Sequence, residues 1–130
     1  MYLHDRGTGT TSPVSLNGGG TATGDQISNS PAISDDGTRV AFVSASSGIG
    51  QTLNTGGLRQ VYVRDLTTGT TDRLSQQPGG AGTIGNGDSE SPALTASGRL
   101  AAFASLATNL DTQSTDSNSR EDIVLASSPR

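Results

Sequence analysis

The sequence predicts an all-β protein built from repeated antiparallel units. Its apolar runs are short, rich in β-branched and aromatic residues, and separated by clusters of Gly, Pro, Asn, Asp or Ser. The element YLHDRGTGTTSPVS, which begins at Tyr2, returns sixty residues later as YVRDLTTGTTDRLS. A second pair, SPAISDDGTRVAF from Ser30 and SPALTASGRLAAF from Ser91, is offset by sixty-one residues. Repetition at this period is typical of stacked units that cover one another's apolar faces.

Nine strands are predicted from the apolar runs. In chain order they lie at 2–5, 12–16, 31–34, 39–44, 60–66, 72–75, 92–95, 100–105 and 122–126. The first and fifth are copies of the tyrosine-bearing element, and the ninth, DIVLA, is a third copy. The third and fourth strands are repeated as the seventh and eighth.

Tight turns are expected to join these strands into meanders. A glycine stands late in each turn and supplies the positive φ that a hairpin needs. These glycines are Gly9, Gly37, Gly69 and Gly98. The Gly-rich segments 17–25 and 76–88 carry few apolar residues and are expected to separate one meander from the next, whereas 45–59 and 106–121 interrupt each unit before its third strand.

Composition limits both the core and the partners. Leu, Ile, Val and Phe make up 24 of 130 residues, so a single chain has a small core, although a net charge of -4 does not force expansion. The absence of Lys and a pI near 4.6 argue against nucleic acid as a partner. The absence of Cys excludes disulfides and thiolate metal sites and leaves the compartment open. No apolar run reaches the length of a membrane span, so no membrane insertion is expected.

The strings SPAISDDGTRVAF and VYVRDLTTGT resemble the blades of bacterial TolB-like, WD-repeat-like β-propellers, and the resemblance covers nearly the whole chain. In that family the Ser-Pro-Ala segment is the innermost strand of a four-stranded blade and the Thr-Asp-Arg-Leu-Ser segment the outermost. The resemblance implies that 1–16 holds strands three and four of one blade, 30–75 a complete blade, and 91–126 strands one to three of another.

About two blade equivalents are fewer than the roughly four to eight that close a propeller. The resemblance therefore implies a homo-oligomer, or a fragment of a longer protein. In the oligomer, strand 12–16 of a neighbour would complete the blade begun at Pro92 by a strand swap, through a head-to-tail interface that generates a ring. Strands 2–5 and 122–126 copy the same third strand, so they would compete for one position.

The function that the resemblance implies is a non-enzymatic interaction or scaffold module that binds protein, peptide or glycan at the axial face of the ring. One alternative is a fragment of a propeller hydrolase or lyase whose catalytic residues lie outside this chain. A second is a linear extracellular structural repeat that does not close. The resemblance favours an extracellular or periplasmic location, which the residues themselves do not establish.

No catalytic or cofactor-binding residue is predicted. The string Gly80-Ala81-Gly82-Thr83-Ile84-Gly85 fits GxGxxG, but no helix follows it to bind a phosphate, so a loop is expected. His4 is the sole histidine and occupies a strand position held by Arg64 in the next copy, which favours a solvent-facing residue over a general base. The string GDSES that ends at Ser91 lacks the final glycine of a GxSxG nucleophile elbow.

The best metal candidate is Asp116, Asn118 and Asp122, which stand just before the last strand. Oxygen ligands at this spacing suit Ca²⁺, but the spacing and glycine of an EF-hand are absent, so Asx turns are the favoured interpretation. The equivalent positions of the other unit hold no carboxylate, being Asn54, Gly56 and Gln60.

Charged residues near the outer strands have a simpler interpretation. The pairs Arg64-Asp65 and Asp72-Arg73 are expected to be exposed edge-strand charges that discourage unwanted pairing.

Overall fold

The computed structural model describes residues 1–50, 56–78, 83–112 and 116–128. These residues form three antiparallel sheets and contain no helix, which confirms the all-β prediction. The strands are β1 (Tyr2–Asp5), β2 (Thr10–Pro13), β3 (Ser28–Ile33), β4 (Arg39–Ser44), β5 (Gln60–Asp65), β6 (Thr70–Arg73), β7 (Ser89–Leu94), β8 (Leu100–Ser105) and β9 (Asp122–Ser127). They pair as the hairpin β1-β2, the central sheet β3-β4-β5-β6 and the third sheet β7-β8-β9.

The second and sixth predicted strands are both displaced toward the N-terminus. The sixth is predicted at 72–75, but β6 spans Thr70–Arg73. The second shows the same displacement. It was expected at 12–16, but β2 ends at Pro13, which lies opposite Tyr2. Val14 donates its backbone N–H to the carbonyl of Met1 at 3.0 Å, and its side chain enters the core at 1% exposure. Burial of Val14 therefore ends the regular pairing where the sequence pattern suggested that it continues.

The first strand of each unit, β3 in one and β7 in the other, begins three residues earlier than predicted. β3 and β7 both contain a register shift, between Asn29 and Ala32 in one and between Glu90 and Ala93 in the other. Ser30 and Ser91 have φ values of 50° and 53° within these bulges. The prolines that follow lack the N–H that a regular ladder needs, so the strand continues past them only through an irregular pair.

The predicted glycine turns are confirmed. Gly9, Gly37, Gly69 and Gly98 have φ values between 66° and 73°. An L-residue with a side chain rarely adopts this conformation, so these positions fix where each hairpin reverses.

The three sheets stack in one direction. We call the face of each sheet that carries Tyr2, Phe42 or Phe103 its front face, and the opposite face its back face. The front face of the central sheet packs against Leu3 on the back of the hairpin. Its back face, which carries Val61 and Val63, packs against the front of the third sheet around Phe103. Every contact between neighbouring sheets therefore joins a back face to a front face.

The connections within the units contribute to the core, which the sequence pattern did not predict. Ile49 is fully buried in the cluster of Phe42 and Tyr62, whose rings stack at 5.7 Å. Leu110, sixty-one residues after Ile49, is buried in the cluster of Phe103. Both follow the second strand of a unit, so these connections cover the ends of the small core.

The β3–β4 turn has a carboxylate with a strongly lowered pKa. Asp36 Oδ1 accepts hydrogen bonds from the Ser34 hydroxyl at 2.6 Å and from the backbone N–H and hydroxyl of Thr38 at 3.0 and 2.7 Å. These bonds, with that of Ser34 the largest cause, lower the pKa of Asp36 to about 2.

Because this pKa lies below the ordinary aspartate value of 3.8, Asp36 should stabilise the fold above pH 4 and lose its contribution as the pH falls toward 2. We expect the stability difference between the wild type and Asp36→Asn, measured by urea unfolding, to shrink over that window. Asp35→Asn removes the same charge from the adjacent position and is the matched control. A carboxyl titration midpoint for Asp36 near 3.8 by NMR would contradict the turn geometry.

Candidate interaction surfaces

Arg39 ties the central sheet to the third sheet. Its side chain is 9% exposed and lies on the back face, where Nη1 donates to the Gly98 carbonyl at 3.3 Å and to the Ser128 hydroxyl at 3.1 Å. Its Nη2 bonds Asp65 Oδ2 at 3.2 Å. A Cβ added at Gly98 would lie 2.8 Å from the Arg39 Cβ, so the close approach of the two sheets requires glycine there.

Arg59 forms a second link between the central sheet and the third sheet. It lies just before β5, at the other end of that strand from Asp65. Its Nε and Nη2 each donate to Asp88 Oδ2 at 3.1 Å, and its Nη1 donates to Glu90 Oε2 at 2.7 Å. Asp88 first and then Glu90 raise the pKa of Arg59. Ser89 also donates its backbone N–H to the Arg59 carbonyl at 2.8 Å. The exposed ion pairs stabilise little by themselves, but with the backbone bonds they fix where β7 starts relative to β5.

The back face of the third sheet is apolar and open. Ile123 and Leu125 lie opposite Ala104 and Ala102 on this face and are 77% and 69% exposed. The equivalent residues of the central sheet, found by matching the strand pairing, are Val61 and Val63 at 0% and 2% exposure. Large exposed apolar patches mark interaction surfaces in soluble proteins. The third sheet thus presents the surface that the central sheet uses for packing, with nothing covering it among the described residues.

The hairpin presents the complementary surface at the other end of the stack. Tyr2 lies on its front face at 65% exposure, whereas Tyr62, the same repeat position in the central sheet, is fully buried. One end of the stack therefore carries an open front face and the other an open back face.

A cleft of about 380 Å³ runs along the outer edge of β9. It lies between the strand residues 124–127 and the end of the central sheet, where Leu74 and Pro78 line it. In the central sheet β6 pairs with β5 on the corresponding side, but among the described residues no strand pairs with β9 there. The cleft therefore lies on the side of β9 that corresponds to the position of β6 beside β5.

A polar edge is formed by the first strands of the two larger sheets. β3 and β7 lie close together, and each presents its bulge serine, Ser30 or Ser91, to solvent. A positive φ at a residue other than glycine is unfavourable, and such residues cluster at functional sites.

The predicted metal residues form turn hydrogen bonds. Asp116 Oδ1 accepts from the backbone N–H of Asn118 at 3.1 Å, and Asn118 Oδ1 accepts from that of Arg120 at 2.6 Å. Asp122 is exposed at the start of β9. No group of three His, Asp or Glu side chains with metal-binding geometry occurs in the described part of the chain. The arrangement supports the Asx-turn interpretation.

The equivalent positions in the other unit differ. Asn54 lies outside the described residues, Gly56 is exposed, and Gln60 is buried inside the protein. The Gln60 side chain donates to the Gly85 carbonyl at 3.2 Å and accepts from the Ser75 hydroxyl at 2.5 Å. These two hydrogen bonds therefore pair the buried side-chain amide of Gln60 inside the core.

Among the residues that the structure describes, no catalytic constellation surrounds His4. Its Nδ1 lies 2.8 Å from the Thr11 hydroxyl across the exposed hairpin. Ser89, in the string GDSES, is buried and shares a hydrogen bond of 2.8 Å with the Ser105 hydroxyl. Residues 80–82 of the GxGxxG string lie outside the described residues, and Gly85 donates its backbone N–H to the Ser75 carbonyl at 2.9 Å.

The expectation of exposed edge-strand charges is wrong for Arg73, and also for Arg64 and Asp65, which are only partly exposed on β5 between β4 and β6. Arg73 is 4% exposed and lies opposite Tyr62 on the front face of the central sheet. Burial raises the pKa of Tyr62 and lowers that of Arg73. The aliphatic part of an arginine covers apolar surface well, which a charge count in the sequence does not reveal.

No protein-family model matches the chain, and a search of curated proteins finds no relative. None of the described residues belongs to a helix long and apolar enough to span a membrane.

Proposed function

We propose that this protein is a non-enzymatic scaffold module of the β-propeller type that assembles with further copies of itself through its open sheet faces. The observation that carries the proposal is the exposure of Ile123 and Leu125 at positions where the central sheet buries Val61 and Val63. The front face of a neighbour's hairpin, with Tyr2, would cover this surface as the third sheet covers the central one. Burying a large apolar side chain contributes roughly 1.5–3 kcal/mol, so two such residues can drive association.

The contact is heterologous, because an open back face meets an open front face. A heterologous contact closes into a ring when its rotation fits and otherwise extends into a filament. We propose the ring, in line with the propeller resemblance, and place the ligand, a protein, peptide or glycan, at the axial edge formed by β3 and β7. The paired serines Ser30 and Ser91 support this position, since both are exposed and held in the same strained conformation.

Light scattering coupled to size exclusion tests the assembly. We expect the wild-type chain to form one discrete species at a small multiple of 13.1 kDa, and Leu125→Arg to shift it to the monomer because a charge would be buried in the contact. Ile27→Arg is the matched control, since Ile27 is 82% exposed and precedes β3, away from the open back face. A wild-type monomer at every concentration would refute the assembly, and an open-ended series of masses would replace the ring with a linear stack.

A further inference from the structure

The outer edge of β9 has the features of a strand-binding site. β5 and β9 occupy equivalent positions, because Tyr62 lies opposite Phe42 and Val124 lies opposite Phe103. β5 is paired on its outer side by β6, and the cleft beside β9 occupies that same side. An unpaired edge offers a row of backbone N–H and C=O groups to an incoming extended segment.

The chain itself carries a segment of the kind that fits. β6 and the residues after it read TTDRLS, and β2 and the residues after it read TTSPVS. Both pair with a copy of the same strand in the same register: Asp65 lies opposite Thr70, and Asp5 lies opposite Thr10. All four residues of β2 are exposed, whereas β6 is partly buried within the central sheet.

We propose that the β9 edge binds the β2 segment of a second copy of this chain by antiparallel strand addition. The register follows from the internal copies: Val124 would lie opposite Pro13 of the second copy, and Ser127 opposite Thr10. The segment would leave β1 for β9, so the β1–β2 ladder and the burial of Val14 beside Phe42 would be replaced by an equivalent ladder on β9 and by contact with Leu74 and Pro78 in the cleft. This exchange is a domain swap, which costs little because the same pairing is made in another place. The inference depends on the proposed function only in taking the partner to be a second copy.

Cross-linking between two single-cysteine chains tests the register, because the protein has no cysteine of its own. A Thr10→Cys chain mixed with a Ser127→Cys chain should form a disulfide-linked dimer under mild oxidation, since paired strand residues lie within disulfide distance. Replacing Ser127→Cys by Asp122→Cys moves the thiol to the far end of β9 and is the control. We expect the first pair to cross-link at least tenfold faster, and equal rates would overturn the proposal.

A synthetic peptide separates this inference from the assembly through sheet faces. The probe is a labelled peptide of residues 8–17, TGTTSPVSLN, added to an Ile123→Arg chain, which places the same charge on the open back face but outside the cleft. We expect saturable binding by fluorescence anisotropy, with amide NMR shifts at residues 124–127. A peptide with proline at both Thr10 and Thr11 loses ladder N–H groups and should bind at least tenfold more weakly.

Cross-linking and peptide binding have different expected outcomes for strand addition and for assembly through the sheet faces. An assembly that cross-links in the stated register and persists in the Ile123→Arg chain supports strand addition and refutes assembly through the sheet faces. A stable oligomer whose β9 edge neither binds the peptide nor cross-links in the stated register supports the scaffold and refutes strand addition. Equal binding of the proline peptide also refutes strand addition.

Discussion

Replacing Phe42 with alanine should unfold most of the protein or leave it barely stable. The ring is fully buried, stacks on Tyr62 and contacts Ile49, so its removal leaves a cavity between the hairpin and the central sheet. Such substitutions cost roughly 3–5 kcal/mol, which is a large part of the total stability of a small domain. Urea unfolding followed by circular dichroism measures the loss.

Two further variants show whether the loss comes from this packing. Phe42→Leu keeps an apolar side chain in the site and should cost less than half as much as Phe42→Ala. Tyr2→Ala removes an aromatic ring that is 65% exposed and should leave the unfolding midpoint of the monomer nearly unchanged. A Phe42→Ala protein as stable as the wild type would show that the central sheet does not depend on its front face.

The second large effect is expected at Asp65, which supports both a turn and the link between sheets. Its Oδ1 accepts from the backbone N–H groups of Thr67 and Thr68 at 2.8 and 3.0 Å, and its Oδ2 bonds Arg39. The turn bonds, led by that of Thr68, and the Arg39 charge lower the pKa of Asp65. Asp65→Ala would leave the Arg39 cation without its carboxylate at a buried position.

We expect Asp65→Ala to destabilise the fold by about 2–3 kcal/mol in urea unfolding. This is below the roughly 3–5 kcal/mol for breaking a fully buried pair, because the Asp65 side chain is 17% exposed. Asp5→Ala is the matched control, since Asp5 accepts the same turn bonds from Gly7 and Thr8 in the exposed hairpin. If the two variants lose the same stability, the pair with Arg39 contributes nothing beyond the turn.

Much of the fold could be predicted from the sequence because the repeat shows the same pattern twice. The strand positions and the four turn glycines follow from alternation and from the need for positive φ, both of which are local properties. The bulges at Ser30 and Ser91 could not be predicted, because they depend on how a proline is accommodated in a ladder with a specific partner. Ile49 and Leu110 were missed since each is a single apolar residue in a polar connection.

The surfaces were less predictable than the strands. The charge of Arg73 suggested an exposed edge, and only the packed structure shows that its side chain lies against Tyr62. The difference between buried Val63 and exposed Leu125 is also invisible in the sequence, because both are apolar residues in a strand. Exposure depends on which neighbour covers a face, and the sequence of one repeat does not contain that information. Asp116 and Asn118 could be placed in turns because Asx turns are local.

The uniform direction of the stack has a consequence for how such a protein can change in length. Because both contacts between the sheets join a back face to a front face, duplication of one repeat, sixty or sixty-one residues long, would add a layer without requiring a new kind of contact. A duplication that includes only part of a repeat would separate the turn glycines and the Arg39 link from their partners. Growth in whole repeats is therefore the route by which evolution, or an engineer, can lengthen this protein while keeping its interfaces.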